Sequence, residues 1–165
     1  MDLMGEELLA FWRLLSSNEV RYIMVGGFAV YMQGYFRATG DVDLWLKDEI
    51  TNRRNLRKSF EELGYRHHPS LETMDFIPGR NQYYMPGGLI LNVVTSMKGL
   101  ESQSFDDCMV RANIADLDGV KVPFLHINDL ILNKKAVFRP KNQLDLLELE
   151  KIRSIRQDGN PQKNA

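Results

Sequence analysis

The sequence predicts an α/β fold, a mixed β-sheet flanked by helices with a helical C-terminal part. Helix-spaced and strand-spaced apolar patterns alternate along the first half of the chain. A short apolar strand ends in Gly26-Gly27 and passes into a helix, and the segment from Asn128 onward is helical in pattern only. Chain order does not fix strand order, so the sheet topology stays open at this stage.

Each element has its own reason. Leu8, Phe11, Trp12 and Leu15 recur at i, i+3, i+4 and i+7, one apolar face of a helix that Ser16, Ser17 and Asn18 end. Tyr22–Val25 reads as a buried strand. Gly26-Gly27 breaks it, and a brief helix over Phe28–Phe36 is interrupted at Gly34. Asp41–Leu46 alternates, with Val42, Leu44 and Leu46 toward the core and Asp41 and Asp43 opposite. A helix over Ile50–Leu63 carries Leu56, Phe60 and Leu63 on one stripe, and Gly64 suits its C′ position. The stretch His67–Gly88, punctuated by proline and glycine, predicts a strand or hairpin with exposed loops. Leu89–Thr95 is a buried strand and Phe105–Arg111 a helix. Ala112–Leu125 is a β pair turning at Asp118-Gly119. Asn128 is placed to cap a helix over Asp129–Phe138, and Pro140 opens another that reaches about Ile155. Residues 1–155 thus read as a single domain and 156–165 as a polar, frayed tail.

Bulk properties set limits. A chain of 165 residues, 44% hydrophobic and 26% charged, fits one soluble globular domain. The one cysteine, Cys108, leaves no intrachain disulfide and fits a reducing, cytoplasmic setting. The N-terminal residues do not read as a signal peptide, and no apolar run is long enough for a bilayer. A net charge of −1 leaves no broad basic surface for nucleic acid, though a local basic groove stays open.

The chemistry concentrates between Gly26 and Asp43. Two glycines without Cβ atoms let backbone approach a ligand, and a helix N-terminus offers N–H groups to anions. A tight turn with no ligand is the alternative. Asp41 and Asp43, two residues apart on a strand, put both carboxylates on one face within reach of one cation. Oxygen ligands of this kind suit Mg²⁺ or Mn²⁺. Two solvated acids on an open strand face are the competing reading.

Taken together, Gly26-Gly27, Arg37-x-Thr39 and Asp41-x-Asp43 in "VGGFAVYMQGYFRATGDVDLWL" resemble the nucleotidyltransferase superfamily with a polymerase-beta-like core, specifically its small prokaryotic branch of AbiEii-type and minimal nucleotidyltransferases. "LNVVTSMKGL" is similar to the strand that delivers a third carboxylate there, and "VPFLHINDLILNKKAVFRPKNQLDLLEL" to its helical ending. The resemblance covers nearly all of residues 18–150. It implies that Gly26 and Gly27 approach nucleotide phosphates and that Asp41 and Asp43 hold a divalent metal against a bound NTP. Arg37 and Thr39 would orient the pair or touch phosphate, against a surface arginine and a turn hydroxyl. Lys134 and Arg139 match basic positions near the nucleotide, against exposed helical cations.

Two positions depart from the pattern. Asn92 stands where a third catalytic acid is expected, and an amide offers a carbonyl oxygen but no basic atom. Asn142 stands where an aspartate is common, while Asp145 keeps the next acid. Glu72 and Asp75 are other acids available as a base. His67-His68 and His126 carry no metal cluster, Cys108 reads as packing, and Tyr83-Tyr84 read as packing rather than base stacking.

The resemblance implies a metal-dependent nucleotidyltransferase moving NMP from an NTP to an RNA (tRNA) or protein acceptor, with a cognate toxin or antitoxin among the partners. The alternative is a catalytically inactive nucleotide- or partner-binding module of the same fold. No membrane partner is expected.

Overall fold

The computed structural model describes residues 5–65, 70–73 and 81–159. The first helix, α1 (Glu6–Ser17), buries Leu8, Phe11, Trp12 and Leu15, the four residues at helical spacing. Asn18 follows as its C-cap and donates from Nδ2 to Ser59 Oγ at 3.2 Å, tying the helix end to α3 (Ile50–Glu62). Between them lie β1 (Tyr22–Val25), α2 (Gly26–Met32) and β2 (Asp41–Leu46). The helix expected over Phe28–Phe36 therefore starts earlier and ends earlier. Gly26 and Gly27 form its first turn, and Gly34, at φ +112°, lies in the loop beyond it.

The stretch His67–Gly88 is described at residues 70–73 and 81–88. It contributes the one-turn α4 (Ser70–Thr73), β3 (Gln82–Tyr84) and a 3₁₀ turn over Pro86–Gly88. His67-His68 and Asp75 lie outside the described residues. Then come β4 (Ile90–Val94), α5 (Phe105–Arg111), β5 (Asn113–Leu117) and β6 (Val120–Phe124). The last two strands turn at Asp118 and Gly119, both at positive φ, which is why Asp-Gly sits there.

Two helices finish the chain, α6 (Ile127–Ala136) and α7 (Pro140–Asp158), and they pack on each other. The cap of α6 differs from the sequence reading. His126 is the N-cap, and its Nδ1 accepts from the N–H of Asn128 at 3.2 Å, so the helix begins before Asn128. α7 runs past Ile155 to Asp158. Arg156, assigned to the frayed tail, instead donates to the Gln33 side chain and carbonyl at 2.9 and 2.8 Å.

The six strands form one sheet in the order β3-β4-β2-β1-β6-β5. β1 runs antiparallel to β2 and parallel to β6, β2 runs parallel to β4, and β3 and β5 close the edges antiparallel to β4 and β6. This is the mixed α/β sheet the sequence predicts. On β2 the side chains of Val42, Leu44 and Leu46 are buried on one face. The other face changes character along the strand: Asp41 and Asp43 are half-buried, whereas Trp45 lies buried against Phe105 of α5 at a ring separation of 5.5 Å. One end of the strand is thus sealed with aromatics and the other kept polar. None of the helices among the described residues is long and apolar enough to cross a membrane.

Candidate functional site

The polar end of β2 is assembled by sheet register. Val25, Asp43, Asn92 and Gln82 are successive partners across β1, β2, β4 and β3. Asp41, Ile90 and Tyr84 form a second row across β2, β4 and β3. Partners in register share a face, and so do residues two apart on one strand, so both rows present side chains on the same side of the sheet. Asn92 Nδ2 donates to Asp43 Oδ1 at 2.9 Å and reaches Asp41 Oδ2 at 3.5 Å. Its Oδ1 accepts from Gln82 Nε2 at 3.0 Å, and Gln82 Oε1 accepts from the Tyr84 hydroxyl at 2.9 Å.

The two glycines serve this arrangement directly. A Cβ on Gly26 would stand 2.0 Å from Asp43 Oδ2, and the residue's φ of +65° already favours glycine. A Cβ on Gly27 would meet Thr39 Oγ1 at 2.4 Å. The Gly27 N–H donates to the Asp43 carboxylate. In this structure, then, the close approach that the glycines permit is that of Asp43 and Thr39. Burial raises the Asp43 pKa above the ordinary carboxylate value and the Asp41 charge adds to the rise, while hydrogen bonds from Asn92 and Gly27 and the nearby Lys134 charge only partly offset it.

Arg37 lies beside the Gly27 turn, its Nη1 3.5 Å from where a Gly27 Cβ would stand, and it is bound to an acid far from it in sequence. Its guanidinium grips Asp145 through two bonds, Nε to Oδ1 at 2.6 Å and the second nitrogen to Oδ2 at 2.8 Å. Lys134 Nζ completes the set, 2.9 Å from Asp145 Oδ2 and 3.2 Å from Asn142 Oδ1. The Asp145 side chain is 0% exposed and that of Lys134 7%. Burial alone would raise the Asp145 pKa, yet the bonds from Arg37 and Lys134 outweigh it and hold the value below normal. Burial lowers the Lys134 pKa, against the pull of Asp145. Asn142 donates to the Val137 carbonyl at 2.7 Å, so the amide in the expected acid's place fastens the α6–α7 turn and supports the lysine.

The remaining candidates scatter. Arg139 is exposed at the N-cap of α7, with no ion pair to the described residues. Glu72 pairs with Arg57 at 2.8 Å and Arg54 at 3.2 Å, both on α3, and not with Asp41, Asp43 or Asn92. Tyr83 packs edge-on against Phe60, whereas Tyr84 is 67% exposed, so the expectation of packing holds for only one of the two. Sequence reasoning missed Gln82 and Tyr84 as neighbours of Asn92. The only signal was their alternation on a three-residue strand beside a glycine-rich turn.

Among the described residues no group of three or more His, Cys, Asp or Glu side chains comes together as a metal cage. Two carboxylates on one face, one with a raised pKa, do fit a single Mg²⁺ or Mn²⁺, ions that keep waters and share phosphate oxygens. Asn92 in place of a third acid leaves the site one negative charge short, which weakens the fit to a second metal.

The family described as "Nucleotidyltransferase of unknown function (DUF6036)" matches residues 6–158. No curated protein matches the chain. Among solved structures, the chain is similar to an antigenic nucleotidyltransferase-like protein from Paracoccidioides brasiliensis, with a TM-score of 0.53 and 18% identity over 88% of this chain and 72% of that one. At that identity the likeness speaks for the fold alone. The family match spans every element from α1 to α7, including both the carboxylate pair and the buried Asp145 network, and the chain belongs to this nucleotidyltransferase family.

Proposed function

We propose that the protein is a metal-dependent nucleotidyltransferase that moves a nucleoside monophosphate from an NTP to an RNA or protein acceptor. The observation that carries this reading is the pairing of Asp41 and Asp43 on one sheet face, with Asp43 packed against the Gly26-Gly27 turn. Asp41 and Asp43 would hold Mg²⁺ or Mn²⁺, which when bound neutralises phosphate charge and polarises the α-phosphorus. In the transfer an acceptor oxygen forms a bond to that phosphorus as the bond to the pyrophosphate oxygen breaks. Asn92 has no basic atom, so the acceptor proton must pass to an aspartate carboxylate or to water. Loss of a positioned base commonly costs roughly 10²–10⁴-fold in rate, and a slow enzyme is the expectation here.

Other residues take supporting roles in this reading. Lys134 lends positive charge close behind Asp43, while Arg37 acts at one remove by fixing Asp145. Arg139 is exposed and makes no ion pair with the described residues, which leaves it available to phosphate or acceptor. The net charge of −1 favours a protein acceptor or a local tRNA contact over a broad nucleic-acid platform, and a cognate toxin or antitoxin is the partner class to test first. A specific observation favours a second reading, a binding module without turnover: the Asn92 amide already donates to both carboxylates.

Incubating the protein with each labelled NTP, Mg²⁺ or Mn²⁺ and a cell lysate tests both. Label transfer that Asp43→Ala abolishes supports the enzyme, and the labelled band gives the acceptor class. Transfer only by Asn92→Asp supports the binding module with an otherwise sound site. No transfer by either protein, with lysate RNA and protein both supplied, sinks the transferase reading.

A further inference from the structure

We propose that Gln82 and Tyr84 set which end of the Asn92 amide faces the Asp41–Asp43 pair, and thereby control whether the pair takes a divalent cation. The inference rests on the cation reading of that pair and adds two positioning residues on the edge strand β3 to it.

The hydrogen bonds have a direction. The Tyr84 hydroxyl donates to Gln82 Oε1, Gln82 Nε2 donates to Asn92 Oδ1, and Asn92 Nδ2 donates onward to Asp43 and toward Asp41. In this polarity the nitrogen of Asn92 relieves repulsion between the two carboxylates, as a bound cation would. An N–H group cannot ligate a cation, so the amide and a metal compete for the same carboxylate oxygens.

The chain can run the other way without losing a partner. If Asn92 turns its Oδ1 to the carboxylate pair, its Nδ2 donates to Gln82 Oε1. Gln82 Nε2 then donates to the Tyr84 oxygen, and the hydroxyl hydrogen of Tyr84, a residue 67% exposed, goes to water. Each of the three side chains both donates and accepts, which is what allows the reversal. An acid at position 92 would need no such device. A glutamate at 82 could only accept and would fix the cation-ready polarity, whereas a lysine could only donate and would fix the polarity seen here.

Two readouts test this on the whole chain. Mn²⁺ affinity is measured by titrating free Mn²⁺, and the Asn92 side-chain amide is followed by NMR with and without Mg²⁺. In the parent, Mg²⁺ should shift the Asn92 amide resonances and bring its NH₂ protons into contact with Gln82. Gln82→Glu should show that shifted pattern before any Mg²⁺ is added and bind Mn²⁺ about tenfold more tightly, one net hydrogen bond's worth. Gln82→Lys should keep the unshifted pattern and bind about tenfold more weakly. Position 82 is exposed, so both variants are expected to fold.

Mn²⁺ binding that Asp43→Ala removes, with Asn92 resonances unmoved by Mg²⁺, overturns the inference and leaves the cation reading standing. Affinity changes in the two variants without the matching Asn92 pattern reduce the effect to plain charge and overturn it as well. Absence of any Mn²⁺ binding sensitive to Asp43→Ala overturns the cation reading itself, and the inference with it.

Discussion

Two carboxylate clusters lie close together in this molecule, and they are built on opposite principles. Around Asp145 the charges are closed on themselves: one carboxylate, 0% exposed, receives two bonds from Arg37 and one from Lys134. Around Asp43 they are open, for two carboxylates share a face with amide and backbone donors only, and the Asp43 pKa is raised. The closed cluster spans β2's entry loop, α6 and α7 and holds them in place. Among the described residues no cation bonds directly to the open cluster, which is what the proposed cation site requires.

The sharpest way to break the comparison is Asp145→Asn. It would leave the buried Lys134 and the half-buried Arg37 with no carboxylate, and removing one member of a buried ion pair typically destabilises by about 3–5 kcal/mol. Urea unfolding should register a loss of that size. A loss under about 1 kcal/mol would mean that Asp145 is not the keystone described here, since only exposed pairs count for so little.

Gly26→Ala comes next and links backbone to site. The residue's φ is +65° and the new Cβ would fall 2.0 Å from Asp43 Oδ2, so the carboxylate must move. Strain of this kind costs about 1–3 kcal/mol. Because the clash is with one side chain, combining Gly26→Ala with Asp43→Ala should recover part of the loss. Strict additivity of the two substitutions would show that the clash is not what the alanine costs.

How much of this was legible in the sequence follows the range of each interaction. α1, β1, β2, α3, α5 and the β5–β6 hairpin were readable because periodicity and the Asp118-Gly119 turn act over a few residues. The Asp41 and Asp43 face was readable for the same reason. Arg37 and Asp145 meet 108 positions apart, and no local pattern shows that an arginine beside the acid pair is bound to a helix in the C-terminal part. β3 is three residues long, so its alternation is a weak signal: Gln82 drew no reading, and Tyr84 read only as packing or base stacking. The α6 cap was misplaced because an imidazole acceptor at His126 takes the position ordinarily filled by a small polar side chain.

Asp43→Asn tests the open cluster with a smaller effect of opposite sign. A folded-state pKa raised above the unfolded one means that ionising Asp43 works against the fold. The stability contributed by the group is complete below the unfolded value of 3.8 and is lost as pH rises through the raised folded value. Asparagine avoids that loss, so the metal-free variant should melt higher than the parent at neutral pH, by about 2–4 °C per kcal/mol regained, with the gap closing toward pH 3. In the parent, cation affinity should fall as pH drops through the same raised value, because proton and metal compete for the carboxylate. A gap that is constant with pH would remove titration of Asp43 as its cause.

Arg139→Ala should have the smallest effect on the fold and separates scaffold from ligand contact most cleanly. The side chain is exposed and makes no ion pair with the described residues, while its backbone does the structural work. The N–H donates to the Val137 carbonyl at 3.0 Å and the carbonyl accepts from the Asn142 N–H at 2.9 Å, and both bonds survive truncation to alanine. Stability should stay within about 0.5 kcal/mol of the parent. If the guanidinium meets nucleotide phosphate, NTP affinity should weaken by roughly two- to fivefold, as for an exposed ion pair, and the difference should shrink as salt is raised. Unchanged NTP affinity at low salt would remove Arg139 from the phosphate site and leave it for the acceptor.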